Sequence, residues 1–480
     1  MKRPLHAALL AVPALLIAAT APAAAPAAAQ SAQEALDARY ERALAAGYKA
    51  LFLCSATANA ERLGGERTPA HIHAWELTGI DRKFDPIIRD MPYEIVRRAS
   101  EGADLAPVDH VRVPFADEMP PRIAAHLPGE GCFIQPIGAP APELRALPED
   151  YAPEAIPADG WETAPGLLAQ SAANRLAAAA FDGTYGEGSR TTAALIVKDG
   201  AIALERYAPG FNADTPQRTW SVAKSIAATL VGAAVLSREH SVTDPVGINY
   251  WRSGGAFDAR GAITIDHALR MASGRYSDTP GNRTDPIYWG GATVDERASH
   301  WPVIHPPGSV YRYANNDTLM AIKGIGSWLD FYPAREVLAR FGMHRTIPET
   351  DWRGNYVLSS QVWATARDLA RLGQLHLDDG MIQGADGPER VLPENWNAYI
   401  SAPSGPQPEG PFGYGAGWWL LNSSDGVPPD TFAAMGNRGQ YVVVVPSRDV
   451  VIVRRAEDKV GTRFDIAAFT RDVLAALDGG

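Results

Sequence analysis

The segment TWSVAKSIAATLVGAAV, residues 219–235, places a serine and a lysine three residues apart at the start of an apolar stretch. On a helix, Ser221 and Lys224 share one face. The residues after Lys224 are apolar nearly all round such a helix, which is typical of a buried one. Burial favours the neutral form of lysine, and a neutral amine can take the proton of a neighbouring serine, which makes the serine a nucleophile. The alternative is structural, with Ser221 as an N-cap and Lys224 reaching solvent.

Two further motifs follow in the chain. Tyr313-Ala314-Asn315 lies within PPGSVYRYANNDTLM, and AAMGNRGQYVVVV is a glycine-flanked turn that leads into a strand. This order of S-x-x-K, Y-x-N and a glycine-bearing strand entry resembles the penicillin-recognising serine hydrolases, in particular the branch related to class C β-lactamases. That branch includes esterases, peptidases that release D-amino acids, and 6-aminohexanoate-dimer hydrolases. The resemblance extends over roughly residues 190–478 and includes the stretches IDHALRMASGRY and FGYGAGWWL.

The resemblance implies a role for each matching residue. Ser221 corresponds to the acylated nucleophile and Lys224 to its base. Tyr313 corresponds to the phenol that relays protons to the leaving group and from the deacylating water. Asn315 corresponds to the amide that binds Lys224 or the substrate. The oxyanion hole is expected to combine the backbone N–H of Ser221 with one from the third motif, among the substrate-binding candidates Asn437, Arg438, Gly439 and Gln440.

The third motif departs from the antibiotic-hydrolysing pattern. Those enzymes carry Lys-Thr-Gly or His-x-Gly there, and the cation holds a substrate carboxylate, whereas this chain has Asn437-Arg438-Gly439. Arg438 either binds a carboxylate through its two-pronged guanidinium or is a solvated charge at a strand edge. The departure favours an esterase or amidase over a β-lactamase.

Metal and cofactor chemistry have little support in the sequence. His71-Ile72-His73 has the H-x-H spacing of some metal sites, but no H-E-x-x-H or H-x-H-x-D-H motif accompanies it. We therefore predict no metal and no cofactor. The two cysteines, Cys54 and Cys132, predict a disulfide if the protein is exported; the alternative is two unrelated buried thiols.

The first 29 residues predict export. A short basic start, an apolar stretch and the small residues before Gln30 are typical of a signal peptide that is cleaved near Ala29, and the protein is then periplasmic or secreted. The net charge is −11. An acidic chain without a later long apolar run is expected to have no nucleic-acid partner and no stable membrane insertion.

The remaining pattern predicts an α+β fold of the β-lactamase/transpeptidase type. Hairpins at Asp199-Gly200 and around Pro446–Asp449, and a helix over Arg463–Leu477, suggest an antiparallel sheet built from both ends of the catalytic unit with a helical region between. Residues 30–165 are predicted to be an N-terminal extension and linker, with a helix near 32–52, and residues 166–480 the hydrolase domain.

These features predict an exported serine hydrolase that cleaves a small-molecule ester or amide through an acyl-enzyme, like a carboxylesterase or a 6-aminohexanoate-dimer hydrolase. A β-lactamase or D,D-peptidase is the alternative within enzymes. A non-catalytic binding protein on the same scaffold is the alternative of another class, although such a protein does not need Ser221, Lys224 and Tyr313 together.

Overall fold

The computed structural model describes residues 27–98, 106–142, 155–253, 258–276 and 284–479. Helices flank or connect the sheets through most of the chain. Their bounds are α1 Ala27–Arg62, α2 Pro69–Trp75, α3 Asp85–Ile88, α4 Gln170–Ala179, α5 Val222–Leu236, α6 Asn249–Ser253, α7 Ile265–Leu269, α8 Asp285–Tyr288, α9 Val294–Arg297, α10 Asn315–Gly324, α11 Gly326–Phe331, α12 Ala334–Arg340, α13 Ala366–Leu377, α14 Trp396–Ser401 and α15 Ile466–Asp478.

Within the described residues, the strands form four sheets. Their bounds are β1 Glu94–Arg97, β2 Val108–Val113, β3 Arg122–Leu127, β4 Gly131–Ile134, β5 Thr191–Lys198, β6 Ala201–Tyr207, β7 Gln217–Arg218, β8 Ile347–Pro348, β9 Val362–Ala364, β10 Met381–Gly384, β11 Gly387–Arg390, β12 Gly413–Tyr414, β13 Trp419–Leu420, β14 Phe432–Gly436, β15 Gln440–Val445 and β16 Val450–Ala456. The largest sheet has the order β12-β13-β14-β15-β16-β5-β6, and β1–β4 form a sheet of their own.

The seven-stranded sheet confirms the predicted assembly from two distant parts of the chain. All its strand pairs are antiparallel, and β16 near the C-terminus pairs with β5 along almost its full length. The β5–β6 hairpin turns at Asp199-Gly200, whose φ angles of 52° and 77° fit a two-residue turn. The predicted C-terminal helix is α15, which Asp465 caps at its first turn.

The central strands bury both faces, which explains their continuous valine runs. In β5, Leu195 and Val197 face a core that contains α5 and α13, whereas Ala194 and Ile196 face a second core that contains α4 and α15. The sheet therefore lies between two helical layers. The larger core, on the α5 side, includes the first turn of α5, which directly follows Ser221.

Residues 41–98 and 106–142 contribute to the same larger core. Residues 41–480 form one compact unit, and Leu53, Val111 and Ile134 share a buried cluster with α5. Within α1, Tyr48 is buried whereas Leu36 is exposed. The predicted disulfide is confirmed, with Cys54 of α1 bonded to Cys132 of β4. The domain boundary near residue 165 stays a prediction.

The predicted signal peptide lies outside the described residues except for its last three, which are the first residues of α1. Part of the predicted linker, residues 143–154, is outside them as well. Within the described ranges, no helix combines the length and the apolar character that crossing a bilayer requires.

Candidate active site

Ser221 stands immediately before α5 and does not cap it. Its side chain accepts no hydrogen bond from the first turn, and Lys224 is only 2% exposed. The structural alternative for this pair, an N-cap with a lysine in solvent, is therefore wrong. The two side chains point to one another instead, with Lys224 Nζ 2.9 Å from Ser221 Oγ.

The contacts of Lys224 accommodate the neutral amine that burial favours. Besides Ser221 Oγ, its Nζ lies 2.7 Å from Asn315 Oδ1 and 2.9 Å from the carbonyl oxygen of Ser359. Both of these oxygens are acceptors, so they take the two N–H groups of a neutral amine. In that form the remaining lone pair can face the Ser221 hydroxyl and accept its proton, whereas an ammonium would donate to Ser221 Oγ. Asn315 Nδ2 in turn donates to Thr284 Oγ1 at 3.2 Å, which orients the amide.

Burial tunes the two ionisable groups beside Ser221. It lowers the pKa of Lys224 well below the usual range, because a charged ammonium would lose its hydration there. It also raises the pKa of Tyr313 well above the usual range, and a hydrogen bond with Ser221 partly offsets this. Lys224 Nζ lies 4.8 Å from the centre of the Tyr313 ring. Burial therefore favours a neutral amine and a neutral phenol beside the Ser221 hydroxyl.

A strained residue precedes the nucleophile. Trp220 has a φ of 50°, and a bulky residue in that left-handed region costs about 1–3 kcal/mol unless its surroundings hold it there. The guanidinium carbon of the buried Arg218 lies 4.3 Å from the Trp220 ring and 5.1 Å from the ring of Phe52 in α1. Arg218 also donates to Ser360 Oγ at 2.8 Å. No motif in the sequence marked Trp220, Arg218 or Phe52 as support for Ser221.

The end of β14 approaches the backbone of Ser221. A Cβ atom at Gly436 would lie 3.1 Å from Ser221 N, so glycine permits this approach. Leu421 N donates to Thr431 O at 3.0 Å, which fixes the register between β13 and the segment around β14. In an antiparallel pair, every second residue directs its backbone N–H and C=O toward the neighbouring strand, so Met435, four residues after Thr431, directs its N–H to the β13 side. Strand β13 begins at Trp419, opposite Ala433, so it does not extend far enough to pair with Met435. The Met435 N–H is therefore unpaired by β13 and points to the side where the cavity lies. This geometry favours Met435, outside the predicted window of 437–440, as the second oxyanion donor.

The third motif is placed differently from the prediction. Arg438 is buried: its Nε donates to Glu457 Oε2 at 2.7 Å and its Nη2 to the carbonyl oxygens of Trp75 and Thr78 at 2.8 and 2.9 Å. Both proposed settings, a carboxylate in the substrate site and a solvated strand edge, are therefore wrong for Arg438.

Its neighbours Gly439 and Gln440 are also absent from the cavity wall. Gly439 is buried in the turn at a φ of 80°. Gln440 Oε1 accepts a hydrogen bond from Arg455 Nε at 2.7 Å. Their predicted substrate-binding role is therefore not supported, because their positions and side-chain contacts serve the strand turn. Asn437 does line the cavity, as do Tyr313 and Asn315.

A cavity of about 580 Å³ opens on Ser221. Its wall is rich in aromatic and apolar side chains. Among those that line it are Ile80, Phe84, Trp220, Tyr288, Trp289, Phe412, Trp419, Met435, Tyr441 and Val460. Two carboxylates, Asp81 and Asp285, also line it; burial and then repulsion by Asp81 raise the pKa of Asp285 to about 7, and Lys83 opposes this. The cavity suits an apolar small molecule.

Comparison with known proteins agrees with this arrangement. The model of the family described as Beta-lactamase matches residues 176–477, more than half of the chain. The chain belongs to this family. A 6-aminohexanoate-dimer hydrolase of Paenarthrobacter ureafaciens is 24% identical over 300 residues, which cover 55% of this chain and 72% of that protein.

Solved structures extend the likeness to the fold. A "Putative 6-aminohexanoate-dimer hydrolase from Bacillus anthracis" aligns with a TM-score of 0.51 and 20% identity over 61% of this chain and 80% of that one. A "putative beta-lactamase from Bacteroides dorei" aligns with a TM-score of 0.50 and 19% identity over 65% of this chain and 99% of that one. The predicted α+β fold of the β-lactamase/transpeptidase type is confirmed, and the chain is a hydrolase of this family.

Proposed function

We propose that this chain is an exported serine hydrolase that cleaves small esters or amides through an acyl-enzyme on Ser221. The observation that carries the proposal is the set of three contacts at Lys224 Nζ. In the neutral form that burial favours, two acceptors hold its N–H groups and its lone pair is directed at the Ser221 hydroxyl. A lysine in this state is a general base at neutral pH.

The acylation step follows from the geometry. The Ser221 hydroxyl proton moves to Lys224 Nζ while Oγ bonds to the substrate carbonyl carbon. The oxygen of that carbonyl becomes an anion, which the N–H groups of Ser221 and Met435 stabilise. Tyr313 donates its hydroxyl proton to the leaving oxygen or nitrogen and regains one from the Lys224 ammonium. The bond to the leaving group breaks, and the acyl group stays on Ser221.

Deacylation uses the same groups in reverse. A water molecule gives a proton to Tyr313, and Tyr313 passes its own hydroxyl proton to Lys224. The oxygen of the water attacks the acyl carbon at the same time. The bond from that carbon to Ser221 Oγ breaks, and Oγ takes a proton back from Lys224. Each group ends in the state in which it began, so the cycle requires no other reactant than substrate and water.

The surroundings of Ser221 favour esters and amides over β-lactams. A β-lactamase has to hold the carboxylate of its antibiotic, and the guanidinium of Arg438, the candidate for that task, is bound to Glu457. Among the described residues that line the cavity, the charged side chains are the acids Asp81 and Asp285. The relative named as a 6-aminohexanoate-dimer hydrolase supports including linear amides.

The test is a substrate panel with wild-type protein. We expect turnover of p-nitrophenyl acetate or butyrate, and very low activity on the cephalosporin nitrocefin. The linear dimer of 6-aminohexanoate tests amide cleavage in the same panel. Efficient nitrocefin hydrolysis with little ester turnover would favour a β-lactamase, and saturable binding of these compounds without turnover would favour a binding protein.

Export is the second part of the proposal. The predicted signal peptide supports it, and so does the disulfide, because disulfides persist in oxidising compartments. N-terminal sequencing of protein recovered from outside the cytoplasm should find a mature chain that begins near Gln30. Intact residues 1–29 on all recovered protein would contradict cleavage.

A further inference from the structure

Part of the cavity wall comes from the chain well before the family match. Ile80, Asp81 and Phe84 line the cavity, whereas the match begins at residue 176. They lie in the loop between α2 and α3, and the side chains of Ile80 and Phe84 are buried there. The structure thus gives the N-terminal extension a direct position in the catalytic cavity.

The loop is fixed to two segments that lie outside it, the turn between β14 and β15 and the segment after β16. Arg438, in the turn between β14 and β15, donates to the carbonyl oxygens of Trp75 and Thr78. Val460 N donates to Gly79 O at 2.8 Å, and Gly79 has a φ of 74°. These contacts tie residues 75–79 to both segments. The side chains just after them are therefore held as a defined wall.

Phe84 fills the space between the cavity and α1. Its ring centre lies 6.3 Å from that of Tyr48 in α1 and 6.2 Å from that of Trp289, and the ring stands on edge against Trp289. Phe84 is 5% exposed, so nearly all of its ring is in contact with protein atoms. Removing the ring opens space that is continuous with the cavity, because Phe84 and Trp289 both line it.

We propose that Ile80 and Phe84 are specificity-determining residues, which limit how long an apolar arm of the substrate can extend from the carbonyl bound at Ser221. This inference rests on the proposed function, since it describes the substrate of the same site. A rigid apolar wall accepts a chain until the chain meets the wall, and each further methylene then clashes. The wall residue and the substrate length are consequently coupled.

The test measures kcat/KM for two ester series in wild type, Phe84→Ala and Ile80→Ala. One series is p-nitrophenyl acetate, butyrate and octanoate, and the other is acetates of phenols with 4-alkyl chains of increasing length. In one of the two series, Phe84→Ala should raise the ratio of kcat/KM for the longest ester to kcat/KM for the shortest ester about tenfold. Phe84→Trp should lower the same ratio. Ile80→Ala provides a milder change if Phe84→Ala folds poorly.

Phe115→Ala is the matched control. Phe115 is also 5% exposed, belongs to the extension and lies in the same core, but it does not line the cavity. Its variant should keep the wild-type ratio even if the protein loses stability. Labelling of Ser221 by a fluorophosphonate separates the two proposals: if wild type is not labelled, the proposed function fails. If labelling is normal but both ratios in Phe84→Ala and Ile80→Ala stay within about twofold of wild type, the wall is refuted.

Discussion

The role of Lys224 as a base is best tested by replacing it with arginine and with methionine. Arginine keeps a positive charge but cannot lose its proton near neutral pH, and methionine has neither charge nor proton. In both variants the Ser221 hydroxyl loses its acceptor. General-base catalysis contributes up to about 10⁴-fold, so we expect kcat/KM for p-nitrophenyl butyrate to fall at least about a thousandfold, or about 4 kcal/mol, in each.

The two variants should differ in stability, in a direction that the burial of Lys224 determines. Because the folded pKa is lowered, wild type must release a proton on folding at any pH between that pKa and the usual lysine value of about 10.4. This penalty shrinks as the pH rises, so stability from this group increases with pH across that window. The methionine variant has no such penalty but leaves the buried oxygens of Asn315 and Ser359 without their donor, whereas the arginine variant buries a fixed charge. The arginine variant should therefore melt at the lower temperature of the two at pH 7.

The assays are ester kinetics and thermal unfolding on the same three proteins. The wild-type kcat/KM should also rise with pH and level off well below the usual titration range of lysine, as Lys224 loses its proton. An arginine variant that keeps more than about a tenth of the wild-type rate would refute the base assignment, because no guanidinium can take the serine proton. Lys224 would then be an electrostatic support for Ser221.

Three further predictions concern other parts of the site and fold. Tyr313→Phe should reduce amide cleavage more than ester cleavage, since a departing nitrogen needs the proton more; equal losses in a paired assay would contradict that role. Thiol titration of the denatured, unreduced protein should find no free cysteine, and replacing Cys54 and Cys132 with alanine should lower the free energy of unfolding by about 2–5 kcal/mol; two titratable thiols would exclude the bridge. Asp285, with its pKa raised to about 7, should become negative between pH 6 and 8. The ratio of kcat/KM for 3-acetoxybenzamide to that for 3-acetoxybenzoate should therefore grow about two- to fivefold over this range in wild type and stay flat in Asp285→Asn. A ratio that is flat in wild type would contradict that titration.

Features carried by local sequence could be predicted, and features made by distant packing could not. The spacing of Ser221 and Lys224 placed both groups on one face, and Asp199-Gly200 defined its hairpin. Arg438 was misassigned because its partner Glu457 and the carbonyl oxygens of residues 75 and 78 reach it only through the tertiary fold. The predicted oxyanion window of residues 437–440 leaves out Met435, which the geometry favours, because strand register decides which N–H groups face the open edge.

The wall at Ile80 and Phe84 had no sequence signal at all. Neither residue belongs to a motif, and both are apolar residues of a kind that every core contains. Their position in the cavity follows from the loop contacts with Arg438 and Val460, which join parts of the chain more than 350 residues apart. The left-handed Trp220 is a similar case, since its conformation depends on Arg218 and Phe52 around it.

The central claim is that Ser221 forms the acyl-enzyme, and mass spectrometry of the fluorophosphonate-treated protein tests it most directly. We predict a single adduct, located by peptide mapping on the peptide that contains Ser221, together with loss of esterase activity in step with labelling. Ser221→Ala should take up no label and turn over no ester while keeping the wild-type melting behaviour. An adduct on another residue, or ester turnover by Ser221→Ala at the wild-type rate, would contradict the account.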